Sequence, residues 1–166
     1  MQLLTVLTPC FNEEENVREV YDRVKAAMAT ISDLDYDHLF IDNASTDRTV
    51  EILRELAASD KRVKVIVNTR NFGHIRSPYH AFLEARGDAI LGVVSDLQDP
   101  PELIPEFIRR WREGYKVVIG VKQGSHESWL ASRTRRFYYW LIAKISSDIE
   151  LVEMRLDKLL STATGA

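Results

Sequence analysis

The sequence has a single cysteine and no long apolar run. Cys10 alone excludes a disulfide framework and leaves the redox compartment open. No stretch approaches the ~18 consecutive apolar residues that a membrane span requires. Residues 1–9 contain no basic region and reach Pro9 too early for a secretory signal peptide. We therefore expect a soluble, cytoplasmic chain.

Glycine-rich phosphate loops and zinc motifs are missing as well. No G-x-G-x-x-G follows the first predicted strand, and no G-x-x-x-x-G-K-[ST] occurs anywhere in the sequence. The four histidines show no zinc-ligand spacing with Cys10. Any phosphate that this chain binds must therefore be neutralised by a divalent cation and by lysine or arginine side chains.

The composition is that of an ordinary globular protein, with 45% hydrophobic and 28% charged residues. A length of 166 residues suits one domain with a sizeable core. The formal net charge of −3 disfavours non-specific binding to nucleic acid. We therefore expect no nucleic-acid partner.

Apolar periodicity predicts strands that alternate with helices. The predicted strands span residues 3–8, 38–41, 63–67, 89–94 and 115–121. The predicted helices span residues 17–31, 50–57, 77–85, 101–111 and 133–145, with Pro78 in the first turn of the third and Gly114 capping the fourth. This alternation indicates one α/β layer structure with a parallel sheet, to about residue 147. The continuous run 89–94 predicts a strand buried on both faces.

Polar clusters follow three of the predicted strands, at residues 9–14, 42–47 and 96–99. The carboxyl ends of parallel strands share one edge of the sheet, where ligands bind, so we expect these clusters to converge on one crevice. Taken singly, Asn12 and Ser45 are equally well explained as helix caps, and Asp42 as a turn acid. The oxygen donors after the fourth strand predict Mg²⁺ or Mn²⁺ at Asp96, with a nucleotide bound to the metal.

Three segments resemble a known family. Residues 9–16 (PCFNEEEN), 42–47 (DNASTD) and 96–104 (DLQDPPELI) resemble the family 2 glycosyltransferases, and most of all the polyprenyl-phosphate sugar transferases, the group of dolichol-phosphate mannose synthase and bactoprenol glucosyltransferase. Segments 70–74, 127–129 and 133–139 strengthen the resemblance, which covers roughly residues 3–147. It implies a Rossmann-like GT-A domain over residues 1–147, with a mostly parallel central sheet flanked by helices. Residues 148–166 would be an atypical tail in place of the acceptor region.

The resemblance also implies roles for individual residues. The nucleotide-sugar would be held by Pro9, Phe11, Asn12, Glu13, Asp42, Asn43, Arg70, Ser95, Asp96, Gln98 and Lys122. Asp96 and Gln98 match the positions near the metal, Mg²⁺ or Mn²⁺, and Asp96 and Asp99 are the catalytic candidates. Arg133, Arg135 and Arg136 would face the acceptor phosphate, although a solvated helix face also explains their clustering. Val94 stands where many relatives carry a further acid, so the nucleotide itself would complete the metal site.

The implied reaction is the transfer of a hexose, with inversion, from a nucleotide-diphosphate sugar to a polyprenyl phosphate. UDP-glucose is the favoured donor, and undecaprenyl or dolichyl phosphate is the acceptor, in cell-envelope glycan or glycosylation pathways. A full-length protein of this kind would work at the inner face of the cell membrane, attached through a C-terminal region that is missing here. The resemblance leaves a homo-oligomer open.

Two alternatives remain at this point. A non-catalytic nucleotide-sugar-binding module would explain why residues 152–157 depart from the family pattern. A flavodoxin-like receiver domain would use Asp42 or Asp96 as its phospho-acceptor, but Glu13, Glu14 and Lys122 fit that pattern only loosely. Outside these motifs, Cys10 is predicted to pack in the core, and His74 suits a donor contact and a surface role equally well.

Overall fold

The described part of the chain alternates strands and helices, as the periodicity predicts. The structure, a computed structural model, describes residues 2–120 and the backbone of residues 121 and 151–155. Its elements are β1 (Leu3–Cys10), α1 (Val17–Ala29), β2 (Asp35–Asp42), α2 (Thr49–Ser59), β3 (Val63–Val67), α3 (Gly73–Glu84), β4 (Ala89–Gly92), a 3₁₀ turn (Pro101–Leu103), α4 (Ile104–Arg112), β5 (Val117–Val121) and β6 (Leu151–Arg155). The predicted helix 133–145 lies outside the described residues.

A four-stranded parallel sheet in the order β3-β2-β1-β4 organises residues 2–105. Its register pairs Cys10 with Asp42 and Asp42 with Val67, so β1, β2 and β3 end at the same level. β4 pairs Gly92 with Leu7. Because all four strands run in one direction, their carboxyl ends lie along one edge. The predicted α/β fold with a mostly parallel sheet is confirmed.

The prediction for the fourth strand is wrong. The fourth strand ends at Gly92 rather than at residue 94, and it is not buried on both faces, since Gly92 is exposed and Val94 is 38% exposed. Within the described residues β4 pairs only with β1, so it is an edge strand whose apolar run meets solvent. The fifth predicted strand is confirmed as β5, which within the described residues pairs in parallel with β6. The chain accordingly divides into two compact units, Met1–Pro105 and Glu106–Ala166.

The core of the first unit follows from the two-residue period of its strands. One face of the sheet, with Cys10, Phe40 and Val63, packs against apolar side chains of α1 and α2. The other face, with Leu7, Leu39 and Ile41, packs against Ala81 of α3. Helices therefore cover both faces of the central strands. The prediction that Cys10 packs in the core is confirmed, because this side chain is 2% exposed.

Proline and glycine mark the helix ends, with one exception. Pro101 opens the 3₁₀ turn that leads into α4, and Gly114 adopts φ +101° while its N–H bonds the Trp111 carbonyl at 2.9 Å, which confirms the predicted cap. α3, however, begins at Gly73 instead of residue 77, so Pro78 lies inside the helix rather than in its first turn. In the part of the chain that the structure describes, no helix is both long and apolar enough to cross a bilayer.

Candidate functional site

Three loops leave the carboxyl edge of the sheet, after β1, β2 and β4, and each contains one residue in the left-handed region. These residues are Asn12 with φ 56°, Ala44 with φ 65° and Leu97 with φ 56°. Among residues 2–121 and 151–155 they are the only non-glycine residues with positive φ. Such conformations cost free energy, and they persist where surrounding contacts hold them, which is common at binding sites.

Hydrogen bonds tie the loop after β1 to the loop after β2. The backbone N–H of Asn12 donates to Ser45 Oγ at 2.8 Å, and the side-chain oxygen of Asn12 accepts from the Thr46 N–H at 2.8 Å. Neither Asn12 nor Ser45 is a helix cap, because α1 follows Asn16 and α2 follows Arg48. Both residues instead fix the two loops to one another.

Asp42 sits beneath this junction and is fully buried. Its carboxylate accepts hydrogen bonds from the Ser45 hydroxyl and, at 3.0 Å, from the Ser45 N–H. These bonds compensate the burial of the charge. Asp42 therefore orders the loop after β2, and its contact with a nucleotide stays a prediction.

A second set of bonds joins the same two loops through Asp47. The N–H of Glu13 donates to Thr49 Oγ1 at 2.8 Å, and that hydroxyl donates to Asp47 Oδ1 at 2.6 Å. Asp47 Oδ2 accepts from the N–H of Glu14 at 3.1 Å. Burial raises the pKa of the Asp47 carboxyl, but the hydrogen bonds from Thr49 and Glu14 outweigh it and hold the pKa below its usual value.

Asn43 holds the loop between β3 and α3. Its side-chain oxygen accepts from the Phe72 N–H at 2.9 Å, and its amide donates to Asn71 Oδ1 at 2.9 Å. Asn68 completes the cluster with a bond of 2.9 Å to Ser77 Oγ. Asn43 thus positions the neighbouring loop, and its contact with a nucleotide stays a prediction. Its partners were missed from the sequence, where separated amides give no signal of contact.

A cavity of about 520 Å³ opens at this edge, a size typical of small-molecule sites. Its lining residues are Pro9, Cys10, Phe11, Glu13, Asn43, Asn71, Gly73, His74, Ser77, Pro78, Val94 and Ser95. The structure therefore brings together five of the residues predicted to hold the nucleotide-sugar: Pro9, Phe11, Glu13, Asn43 and Ser95. Asn12, Asp42, Arg70, Asp96 and Gln98 do not line it. His74 does, although sequence reasoning left its role open.

The segment after β4 carries the remaining acids. Asp96, Gln98 and Asp99 are exposed, and the Gln98 N–H donates to Asp96 Oδ1 at 3.1 Å across the turn at Leu97. Further along, the guanidinium of Arg23 in α1 binds both oxygens of Glu102, at 2.8 and 2.7 Å. This bidentate ion pair holds the segment against α1.

Asp96 and Gln98 are the predicted metal ligands, and that assignment stays a prediction. No group of three or more histidine, cysteine, aspartate or glutamate residues in the described ranges could hold an ion. Asp96 and Gln98 do provide exposed oxygen donors, which Mg²⁺ and Mn²⁺ accept when water and phosphate fill their other positions. The donor set therefore fits a divalent metal that arrives with its nucleotide.

Of the predicted basic residues, the structure describes only Arg70. Arg70 is exposed, and its guanidinium carbon lies 4.9 Å from the centre of the Phe72 ring, at cation–π distance. Lys122, Arg133, Arg135 and Arg136 lie outside the described residues, so their roles stay predictions.

Comparisons with known proteins identify the family of this chain. The family model described as "Glycosyl transferase family 2" matches residues 5–159. The uncharacterized glycosyltransferase YkcC of Bacillus subtilis is 39% identical over 148 residues, 89% of this chain and 45% of that protein. The prophage bactoprenol glucosyl transferase homolog of Escherichia coli is 34% identical over 145 residues, 87% of this chain and 47% of that protein. The chain thus spans about half the length of the curated relatives it matches.

A solved structure supports the fold. Glucosyl-3-phosphoglycerate synthase of Mycobacterium tuberculosis, in complex with Mn²⁺, UDP and glucosyl-3-phosphoglycerate, superposes with a TM-score of 0.56 at 23% identity, over 74% of this chain and 45% of that one. This likeness shows a shared GT-A fold. The matched range includes all three loops at the sheet edge, and both relatives exceed 30% identity over most of the chain, so this protein belongs to glycosyl transferase family 2.

Proposed function

We propose that this chain binds a nucleotide-diphosphate sugar, UDP-glucose in the first place, and that the protein transfers its hexose to a polyprenyl phosphate. The observation that supports the proposal most is the convergence of the strand-end loops on one cavity of about 520 Å³. Five predicted donor-binding residues line that cavity. One of them is Ser95, and Asp96 is the next residue in the sequence. The bactoprenol glucosyl transferase homolog suggests the sugar and the acceptor class.

Phe11 and Glu13 are the proposed contacts for the nucleoside. Phe11 lines the cavity and is 45% exposed, so its ring is accessible for stacking on a base. The Glu13 carboxylate can accept hydrogen bonds from ribose hydroxyls. Its backbone is held by Thr49 at 2.8 Å, so the loop carrying it is positioned before the donor binds.

Asp96 and Gln98 would hold Mg²⁺ or Mn²⁺. When bound, the ion would neutralise charge on the diphosphate leaving group. The solved relative that binds Mn²⁺ together with UDP makes this ion the natural one to test. Lys122 would add a second positive charge for the donor phosphates.

The proposed transfer is a single displacement. An oxygen of the acceptor phosphate forms a bond to the anomeric carbon while the bond from that carbon to the diphosphate breaks, so the anomeric centre inverts. A phosphate monoester is already anionic at neutral pH, so it needs positioning by Arg133, Arg135 and Arg136 more than it needs a base. Asp99 is the carboxylate proposed to take up a proton if the acceptor arrives as a monoanion. The acceptor would bring the reaction to the cytoplasmic face of a membrane.

Calorimetry with UDP-glucose tests the donor site. We expect binding that strengthens with Mg²⁺ or Mn²⁺, and loss of the metal-dependent affinity by more than about tenfold in Asp96→Ala. Asp22→Ala, which removes an exposed carboxylate from α1, should bind like the wild type. Equal affinity of Asp96→Ala and the wild type in the presence of metal would contradict the assignment of Asp96.

Incubation with labelled UDP-glucose, Mg²⁺ and undecaprenyl phosphate tests the transfer. We expect a lipid-linked hexose that requires Asp96, with GDP-mannose as the competing donor. Donor binding without lipid-linked sugar, also in a longer form of the protein, would support the non-catalytic binding module instead.

A further inference from the structure

Helix α3 turns its large apolar side chains towards solvent. Ile75, Tyr79, Phe82 and Leu83 are 71%, 61%, 52% and 62% exposed. The helix buries only the small residues Ser77 and Ala81. We call the four exposed side chains the α3 stripe. A helix packed on a sheet ordinarily buries its large apolar residues, so this arrangement is inverted.

The four side chains share one side of the helix. Their spacing of i, i+4, i+7 and i+8 brings them together over about two turns, so they form a continuous apolar surface rather than scattered exposures. Single exposed apolar residues are normal on a protein surface, but a contiguous apolar patch indicates an interaction site.

Two exposed arginines lie in α3 and shortly after its end. Arg76 and Arg86 are exposed, and no carboxylate among the described residues lies within 4.0 Å of either guanidinium. The carboxylate oxygen Oε1 of Glu84 lies 3.9 Å from His80 Nε2 on the same helix. Arg18, Arg23, Arg48 and Arg62 each lie within 4.0 Å of a glutamate or aspartate carboxylate, whereas Arg54 of α2, like Arg76 and Arg86, has no such partner among the described residues. Two exposed arginines, Arg76 within α3 and Arg86 two residues after its end, thus lie on the segment that carries the α3 stripe, in a chain whose formal net charge is −3.

We propose that the α3 stripe rests on an anionic lipid surface. A helix with aromatic and aliphatic residues on one side and arginine beside them suits the boundary between head groups and acyl chains. Arginines without protein partners can be neutralised by anionic head groups, which supplies the charge complementarity. His74, Ser77 and Pro78 of the same helix line the cavity, so a lipid surface at the α3 stripe would lie close to it. The inference rests on α3 alone and not on the donor assignment.

Co-sedimentation of the whole chain with vesicles tests the proposal. We expect binding to vesicles of phosphatidylglycerol with phosphatidylcholine, weaker binding to phosphatidylcholine alone, and release by salt. The double variant Tyr79→Gln, Phe82→Gln should lower the partition coefficient by at least about tenfold. Arg76→Gln should lower it about fivefold on the anionic vesicles and leave it unchanged on the neutral ones.

Matched controls separate the α3 stripe from general surface chemistry. Ile119→Gln changes another exposed apolar residue, and Arg54→Gln removes another exposed helical arginine, so both should bind vesicles like the wild type. Wild-type protein that stays in solution, or a double variant that still sediments fully, would overturn the proposal. So would a dimer that the double variant converts to monomer without any vesicle binding, because a second copy would then cover the stripe. UDP-glucose calorimetry on the same variants keeps this outcome separate from failure of the donor site.

Discussion

Gly87 occupies a position where the backbone leaves no room for a side chain. A Cβ added there would lie 2.6 Å from the Thr5 nitrogen, 2.7 Å from the Ala89 oxygen and 2.9 Å from the Leu3 oxygen. All three atoms belong to the backbone of β1 and β4, so relief requires the strands to move. We expect Gly87→Ala to lower the free energy of unfolding by about 1–3 kcal/mol in urea titrations. Gly92→Ala is the control, because a Cβ there meets nothing within 4 Å.

Ser45 is the residue on which the junction of the first two loops depends. Its hydroxyl donates to the buried Asp42 carboxylate and accepts from the Asn12 N–H at 2.8 Å. Ser45→Ala leaves both partners short of a bond, so we expect a loss of about 1–3 kcal/mol in the free energy of unfolding and weaker UDP-glucose binding. Ser59→Ala, which removes only a bond to the Leu56 carbonyl within α2, should change both much less. Equal losses in the two variants would contradict a special role for Ser45.

Among the helices, α3 is unusual because it has a proline in its interior. Pro78 is its sixth residue, where a proline cannot donate to the carbonyl of His74 and its ring crowds that carbonyl. We expect Pro78→Ala to raise the free energy of unfolding by about 1–3 kcal/mol, measured by urea titration. Pro105→Ala, near the start of α4 where proline is tolerated, should bring no such gain. A Pro78→Ala protein no more stable than the wild type would show that the helix has already adjusted to the proline.

Most elements of the first unit could be predicted from local patterns. Apolar periodicity located β1, β2, β3, α1 and α2, because each buries one face or stripe against the sheet. The same pattern failed at β4, since a continuous apolar run does not reveal whether a strand has one neighbour or two. The partnership of β5 with β6 joins distant segments, and no local signal marks it.

The site could be predicted in its position but not in its internal bonding. Polar residues after three strands indicated a crevice at the sheet edge, and five of the predicted residues do line one cavity. The bonds of Asn12 to Ser45 and Thr46 depend on two loops meeting, which the sequence does not encode locally. Ala44 adopts φ 65° although alanine does not favour that region, so the residue type did not predict the turn.

The acid response of the whole molecule starts with a buried histidine in the sheet. His38 is 1% exposed, stacks on Phe40 with ring centres 3.9 Å apart, and has its Nε2 3.0 Å from Thr8 Oγ1. Burial lowers the pKa of His38 from 6.5 to about 3, and the negative charge of Asp60 opposes this shift without overcoming it. The folded protein therefore keeps this imidazole neutral at pH values where the unfolded chain protonates it.

Carboxylates add a second stage at lower pH. The Arg62 guanidinium binds both oxygens of Asp60 at 3.0 and 2.9 Å and holds the pKa of Asp60 well below its usual range. The hydrogen bonds from Arg23 similarly lower the pKa of Glu102. Their folded-state pKa values are depressed, so their stabilising contributions are nearly complete above about pH 5 and are lost as the pH falls further.

The two stages predict that the free energy of unfolding falls with decreasing pH, first through His38 and then through the carboxylates. Because the folded pKa of His38 lies below the unfolded value of 6.5, its contribution is full above pH 6.5 and declines as the pH falls towards 3. This loss amounts to about 2 kcal/mol between pH 7 and pH 5, before the carboxylates titrate. Urea titrations across that range should show the decline in the wild type and in His80→Gln, which changes an exposed histidine. His38→Gln keeps a partner for Thr8 but cannot take up a proton, so its stability should be nearly flat over the same range. A decline of equal size in His38→Gln would assign the first stage to other groups and remove His38 as its cause.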